Sequence, residues 1–537
     1  MKTHIALTLL VFATATNVQA AEDHQHPAPE KLGQVHFDNS CAPTVGAAFD
    51  RGVALLHSFS FGTAKQAFEG VLAEDPDCAI AWWGIGMTHW GNPFGGIKTG
   101  PLLENGRLAV EQGLATGSPT PREKAYLEAV GELYRSPADR NHAARIAAYE
   151  AAMAKLNTDF ADDPEAAIFY ALSVNQLASP TDKSFSRQLQ AAAILESMIV
   201  NDPEHPGLSH YLIHAYDTPQ LAAQGLDAAN RYAAIAPAAP HALHMPSHTF
   251  TRVGLWQESI DTNLASAESA LRDGAIGEAM HAMDYQMYAY LQTGQDAAAL
   301  GVAQAAPRIL AQLDPAVMGG AAAPVAAFYA GAAIPARYAM ERGAWDEAAN
   351  LTVQSTAYPQ VDAITHYARA VGAARTGQPD ASATDIAALE TLRAKLEAAN
   401  DAYWTEQVRI QREIAQAWTE FASGSRDAGL ARLSAAAEAE DKTDKAAVSP
   451  GPLAPARELL GEMLLEMQRP AEALTAFQST LNKEPNRFRA TALAAVAAEQ
   501  AGNGAAATDY QTQLAQIAVR GDQPGRQELE AARRSSK

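Results

Sequence analysis

From Val45 onward, apolar residues recur three and four positions apart, the spacing of one face of an α-helix, with little of the alternation that marks a strand. The helical stretches are punctuated by acid–proline steps: Asp75–Pro76, Asp163–Pro164, Asp202–Pro203, Asp314–Pro315 and Glu484–Pro485. Each predicts a helix end, because the residue before proline avoids the α region and proline has no amide hydrogen to donate. The chain therefore reads as all-α, a succession of short helices joined by tight turns. Two stretches interrupt it, Thr376 to Ala383 (TGQPDASA) and Asp441 to Ala456 (DKTDKAAVSPGPLAPA), and the second predicts a linker. Residues 21–42 are polar and proline-bearing, which predicts an extended or loosely ordered segment; the charged end from Gly521 predicts a frayed tail.

Within this pattern a repeat unit recurs. FDRGVALLHSFSFGTAKQAFEGVLAEDPD carries Gly52, Ala64, Phe68 and Pro76 in order. The next unit opens CAIAWWGIGMTHWG, with Trp82 and Gly86 in the matching places. Near the other end, ARELLGEMLLEMQRPAEALTAFQSTLNKEP repeats the scheme with Gly461, Ala473, Phe477 and Pro485. A small residue where two helices touch, then an alanine and an aromatic on the second helix, then a closing proline: in this the chain resembles the tetratricopeptide-repeat family. WWGIGM and HMPSHTF further resemble a secreted bacterial subgroup with a histidine-rich central block. The family resemblance implies a solenoid of helical hairpins wound as a right-handed superhelix. The first helix of each repeat would line a concave groove and the second would form the outer wall. The match is clear at both ends and in the middle, and degenerate around 95–160 and 300–450. The expected organisation is 43–200 as N-terminal repeats, 201–300 as a central histidine block, 301–440 as degenerate repeats, 441–456 as linker and 457–520 as C-terminal repeats, with 521–537 the tail.

The central block runs from His205 to Tyr288 and holds seven of the fifteen histidines, His205, His210, His214, His241, His244, His248 and His281. His210 and His244 are 34 residues apart, as are His214 and His248, Pro203 and Pro237, and Pro206 and Pro240. Positions one period apart should lie side by side on neighbouring helices, while histidines four apart share one helix face. Four imidazoles then form a rough square. If Gly294 aligns with Gly254, His281 continues the column of His241, Asp284 that of His244, and Tyr288 that of His248.

Three uses suit such a cluster. The first is a metal site: His210, His214, His244 and His248 supply four nitrogens, with His241, His281, Asp217 and Asp284 left for a second ion or an outer shell. Zinc, copper or iron would fit, and Met245, Met280, Met283 and Met287 would suit Cu(I), although methionines at this spacing are ordinarily core. The second is a groove for an organic molecule or a peptide or protein partner, lined by Trp83, Met87, Trp90, Tyr288 and Arg252, with the histidines as hydrogen-bonding or acid–base groups. The third is a ladder of histidines satisfied by one another. Seven in register weigh against the ladder, because so many buried imidazoles cost desolvation without a ligand. Catalysis, storage, transport and simple bracing are all compatible with a bound ion.

Other chemistry is sparse. No HExxH, phosphate loop or GxSxG is present, and GIGMTH lacks a preceding strand, which makes it helix packing. Ser247 carries little weight as a nucleophile. His24 and His26 sit in the polar tail, and His36, His57, His142 and His366 read as ordinary surface or core positions.

Composition bounds the rest. At 537 residues and a formal charge of −21, the chain offers no basic face for nucleic acid or for anionic membrane. Lys2, the apolar run Ile5 to Ala15 and the small-residue site Val18-Gln19-Ala20 predict a cleavable signal peptide over 1–20, with a mature protein in the periplasm or outside the cell. No later stretch is long and apolar enough to cross a bilayer. The two cysteines, Cys41 and Cys78, are in that compartment a candidate disulfide, with separate thiols as the alternative.

Overall fold

The computed structural model describes residues 30–535 except 99, 137–139, 180 and 316–318; the signal-peptide expectation, His24 and His26 lie outside them. Helix follows helix as the proline spacing requires. Four of the acid–proline steps fall just after a helix, as after Phe61–Glu74 and Pro470–Lys483. At Asp163–Pro164 the same pair opens one instead: proline occupies the first turn of Pro164–Gln176, where its missing N–H costs nothing, and the Asp163 carboxylate accepts from the Glu165 amide at 3.1 Å. Among the described residues there is no strand, and most helices pack against the next in sequence. The protein is an all-α, tetratricopeptide-like helical-repeat solenoid.

The repeat signature has a packing cause. A Cβ on Gly52 would lie 2.8 Å from the Phe68 ring and one on Gly84 2.5 Å from it, so two successive first helices close on one phenylalanine. The close approach in the second unit is thus made by Gly84, two residues before the predicted Gly86, whose own Cβ would have 3.6 Å of clearance. Gly461 stands to Phe477 in the same way, with 2.5 Å.

Three regions expected to be loose are packed. Residues 30–42 are extended, but Phe37 is buried against Phe49, Trp83 and Tyr126, and Cys41 is disulfide-bonded to Cys78 at the start of the helix Ala79–Trp90. At the other end Gln527–Ser535 is a helix whose Leu529 and Ala532 are buried, anchored by Arg526 on Asp296 at 2.6 Å. The stretch 442–455 is irregular, yet Ser449, Leu453 and Ala454 are buried, and it is bonded to the central block, Lys445 to Asp217 and the Ala447 and Ser449 carbonyls to the Tyr285 hydroxyl. The C-terminal repeats fold back onto that block: Trp256 Nε1 donates to the Asn486 carbonyl at 2.7 Å, and Gly254 approaches Pro485 so closely that a Cβ would sit 2.4 Å from its carbonyl oxygen.

Candidate metal centre

The histidines ride on four helical segments: Pro206–Tyr216 (His210, His214), Pro240–His244 (His241, His244), Pro246–Val253 (His248) and Ile276–Gln292 (His281). Pro246 cannot donate into the helix it interrupts, and the chain tightens there, with the His248 amide bonding three residues back to Met245.

The rings form two triangles, not one square. His210, His214 and His241 present ring nitrogens within 4.8 Å of one another, and so do His244, His248 and His281. The triads abut, with ring centroids 6.0 Å apart for His241 and His244 and 6.1 Å for His214 and His248. The expected columns are displaced by one helical turn: His210 meets His241, 31 residues on, and His244 meets His281, 37 on. Packed helices cross at an angle, so residues at the same repeat phase need not face each other.

Hydrogen bonds on the outer side of three rings, His210, His244 and His248, fix what the inner side offers. Asn263 Nδ2 donates to the Ser259 carbonyl at 2.6 Å, which leaves Asn263 Oδ1 to accept from His244 Nδ1, also at 2.6 Å. His248 Nδ1 donates to Asp217 at 2.9 Å, and His210 Nδ1 to the His57 carbonyl. A neutral imidazole has one N–H. With it spent outward, the Nε2 of His244 and of His248 face each other at 3.1 Å as two lone pairs. In the other triad, His210 Nε2, His214 Nε2 and both nitrogens of His241 are buried without a hydrogen bond, as is His281 Nδ1 in the second; the nearest group to His241 Nδ1 is the Glu278 carboxylate, 3.6 Å away. Each orphaned group costs roughly 1–3 kcal/mol.

Burial also sets the protonation state. It pushes His210, His214, His244 and His281 well below the ordinary imidazole range, and His248 down to about 4 although Asp217 opposes the shift. Neutral imidazole is the metal-binding form. Burial would raise Asp217, but Lys445 and Arg252 outweigh it and hold the carboxyl well below its usual range. Arg252 bonds it at 2.8 Å and Lys445 at 3.2 Å. Aromatic rings close the centre: Phe59 on His210, Phe94 on His214, and Tyr285 on His244.

The remaining expected residues lie elsewhere. Asp217 sits behind His248 as an outer partner. Asp284 faces away from the imidazoles and bonds Arg337 at 2.8 Å, because the one-turn displacement leaves His281 in the place it was expected to fill. Tyr288 donates to Glu484 at 2.7 Å and accepts from Arg487 at 2.9 Å. Trp83 is in the N-terminal core against Tyr126 and Phe169, and Trp90 stacks on His142, so neither lines a groove. Met245, Met280, Met283 and Met287 are buried in apolar clusters. His205 pairs with Glu165 at 3.0 Å, and Glu165 binds His57 at 2.8 Å; with His57 Nδ1 on Tyr211 and His205 Nδ1 on the Gly207 amide, every ring nitrogen of that group is satisfied.

Sequence reasoning missed His57, whose carbonyl orients His210, and Asn263, which stands on a second helix expected to be outer wall. It also missed Lys445, 228 residues from Asp217. Tyr285 carried a signal: it lies four residues after His281, on the same face.

No protein-family model matches the chain, and no curated protein matches it. Among solved structures, the human IFIT1 dimer with m7Gppp-AAAA overlaps at a TM-score of 0.36 and 10% identity, over 82% of this chain and 90% of its own. The human IFIT1 dimer with PPP-AAAA gives 0.38 and 9%, over 90% and 96%. The tetratricopeptide domain of P58(IPK) gives 0.21 and 14%, over 68% and 98%. At such scores the overlap carries no functional argument. No described helix is long and apolar enough to cross a membrane.

Proposed function

We propose that this is an exported metal-binding protein of a secreted, histidine-rich tetratricopeptide subgroup. It holds two transition-metal ions, one in each histidine triad. The observation that carries the reading is the pair of His244 and His248 Nε2 atoms, lone pair toward lone pair at 3.1 Å, both Nδ1 protons already committed. A cation between them turns the repulsion into two bonds. Three imidazole nitrogens per site suit zinc, copper or iron, and not a hard ion that prefers oxygen. Asp217 and Asn263 act as outer partners that fix the tautomer. The first twenty residues support export.

The test is the metal content of the mature protein after loading with Zn(II), Cu(I) or Fe(II) and removal of loosely held ion. Two ions per chain are expected. His241→Ala should leave one, and His281→Ala should leave one. Failure to retain stoichiometric ion of any of the three sinks the proposal.

A further inference from the structure

Beside the second triad, beyond the segment 442–455, lies a cavity walled by Tyr329, Tyr367, Tyr403, Trp404 and Gln411. These residues come from three helices, Pro324–Glu341, Pro359–Arg375 and Ala402–Ala422. Arg252, Lys445 and Lys483 also line it, but each is already engaged. Arg252 and Lys445 bond Asp217, and Lys483 donates to the Thr443 carbonyl at 3.1 Å. The acids are engaged as well: Glu484 accepts from Tyr288, Asp444 from Lys183, and Glu440 from the Ala456 amide. The cavity therefore shows an incoming molecule mainly aromatic faces; of its three cations only Lys483 lacks a carboxylate partner, and its ammonium is held by the Glu440 and Thr443 carbonyls.

Two polar atoms at its wall are left over. The Tyr367 hydroxyl, on a residue only 2% exposed, has no hydrogen-bond partner, and neither has Gln411 Oε1. Buried polar atoms are normally satisfied, so each points to a missing partner. A carbonyl oxygen can only accept, so that partner must donate; a tyrosine hydroxyl can donate, so the partner should also accept. One hydroxyl does both. A carboxylate would have to draw Lys483 from the carbonyls that hold it and would face the Gln411 oxygen, and an ammonium would find the lining acids already bonded. The walls favour a ring, since aromatic pairs gain from edge-to-face and offset contact beyond area alone.

We infer that this cavity binds a small neutral phenol, its ring among Tyr329, Tyr403 and Trp404 and its hydroxyl between Tyr367 and Gln411. The inference stands apart from the metal assignment, and its test is made without metal. Calorimetric titration of the chelator-treated mature protein with p-cresol should show one site per chain. Toluene, lacking the hydroxyl, and cyclohexanol, lacking the aromatic ring, should each bind at least about tenfold more weakly. Tyr367→Phe and Gln411→Leu should each weaken p-cresol by about tenfold, the worth of one hydrogen bond. Tyr367→Phe removes a hydroxyl that has no internal partner, so a loss of binding there is not a loss of fold. The inference is overturned if p-cresol fails to saturate below about 10 mM, an affinity weaker than any specific site needs, if toluene matches it, or if Tyr367→Phe binds as tightly as the parent. None of these results bears on how many ions the triads hold.

Discussion

Asn263 shows how one side chain decides what an imidazole can do. Its amide nitrogen is held by the Ser259 carbonyl, so its oxygen is turned to His244 Nδ1, and His244 must then offer Nε2 to the centre. Asn263→Ala frees the ring to rotate and to change tautomer. The expected result is a loss of roughly 10–100-fold in metal affinity at the second triad, with the first unchanged, the usual size of an outer-shell deletion. Chelator competition resolving two binding steps would check this; equal weakening of both steps would contradict it. At this scale the candidate ligands were legible: imidazoles are uncommon, and so many at helical spacing stand out. Their pairing was not. Whether His210 faces His241 or His244 depends on the crossing of two helices, a property of the whole interface and not of either sequence. For the same reason Asp284 looked like a ligand and is instead the partner of Arg337.

At the scale of elements, what was legible is whatever short-range chemistry dictates. Proline steps end or open helices, and glycines mark where a phenylalanine must fit, as Gly52 and Gly461 do. What was hidden is the fate of segments without periodicity. Residues 30–42 and 441–456 look alike in composition to free linkers, and both are bound down by contacts made far along the chain. Lys445 reaches Asp217, and the Ser449 and Gly451 oxygens and the Pro452 carbonyl gather round Arg337. For the N-terminal segment the Cys41–Cys78 bond, closing a separation of 37 residues, supplies the tether. Chain-entropy reasoning gives such a loop about 4 kcal/mol. Cys41→Ser should therefore lower the stability of the protein by about that amount in equilibrium denaturation. Reductant should do the same to the parent and nothing further to the variant. A parent unaffected by complete reduction would show that Phe37 and its neighbours hold the segment unaided.

Across the whole molecule, the joint between the central block and the C-terminal repeats turns on one buried cation. Arg487 is fully buried and bonds Glu458 at 2.7 Å and Glu341 at 2.6 Å, while its third edge meets the Tyr288 hydroxyl at 2.9 Å. Three helices and the turn before a fourth thus converge on one guanidinium. Burial pushes Glu458 above the ordinary carboxyl range even though Arg487 pulls it back. Arg487→Met keeps the stem and removes the charge, leaving Glu341 without its ion pair and Glu458 with only Arg489, 3.8 Å away, a defect worth roughly 3–5 kcal/mol. The sign of its pH dependence follows. A carboxyl whose folded pKa lies above its unfolded value favours the fold when protonated, and that support is lost as pH rises through the folded pKa. Without Arg487 the folded pKa of Glu458 climbs further, so the variant should suffer most above neutrality and recover part of its deficit as pH falls toward 5. Urea denaturation of parent and variant across that range measures the difference directly. A deficit that stays constant with pH would mean that the guanidinium contributes packing and hydrogen bonds to the joint, and that charge is not what holds the C-terminal repeats against the histidine centre.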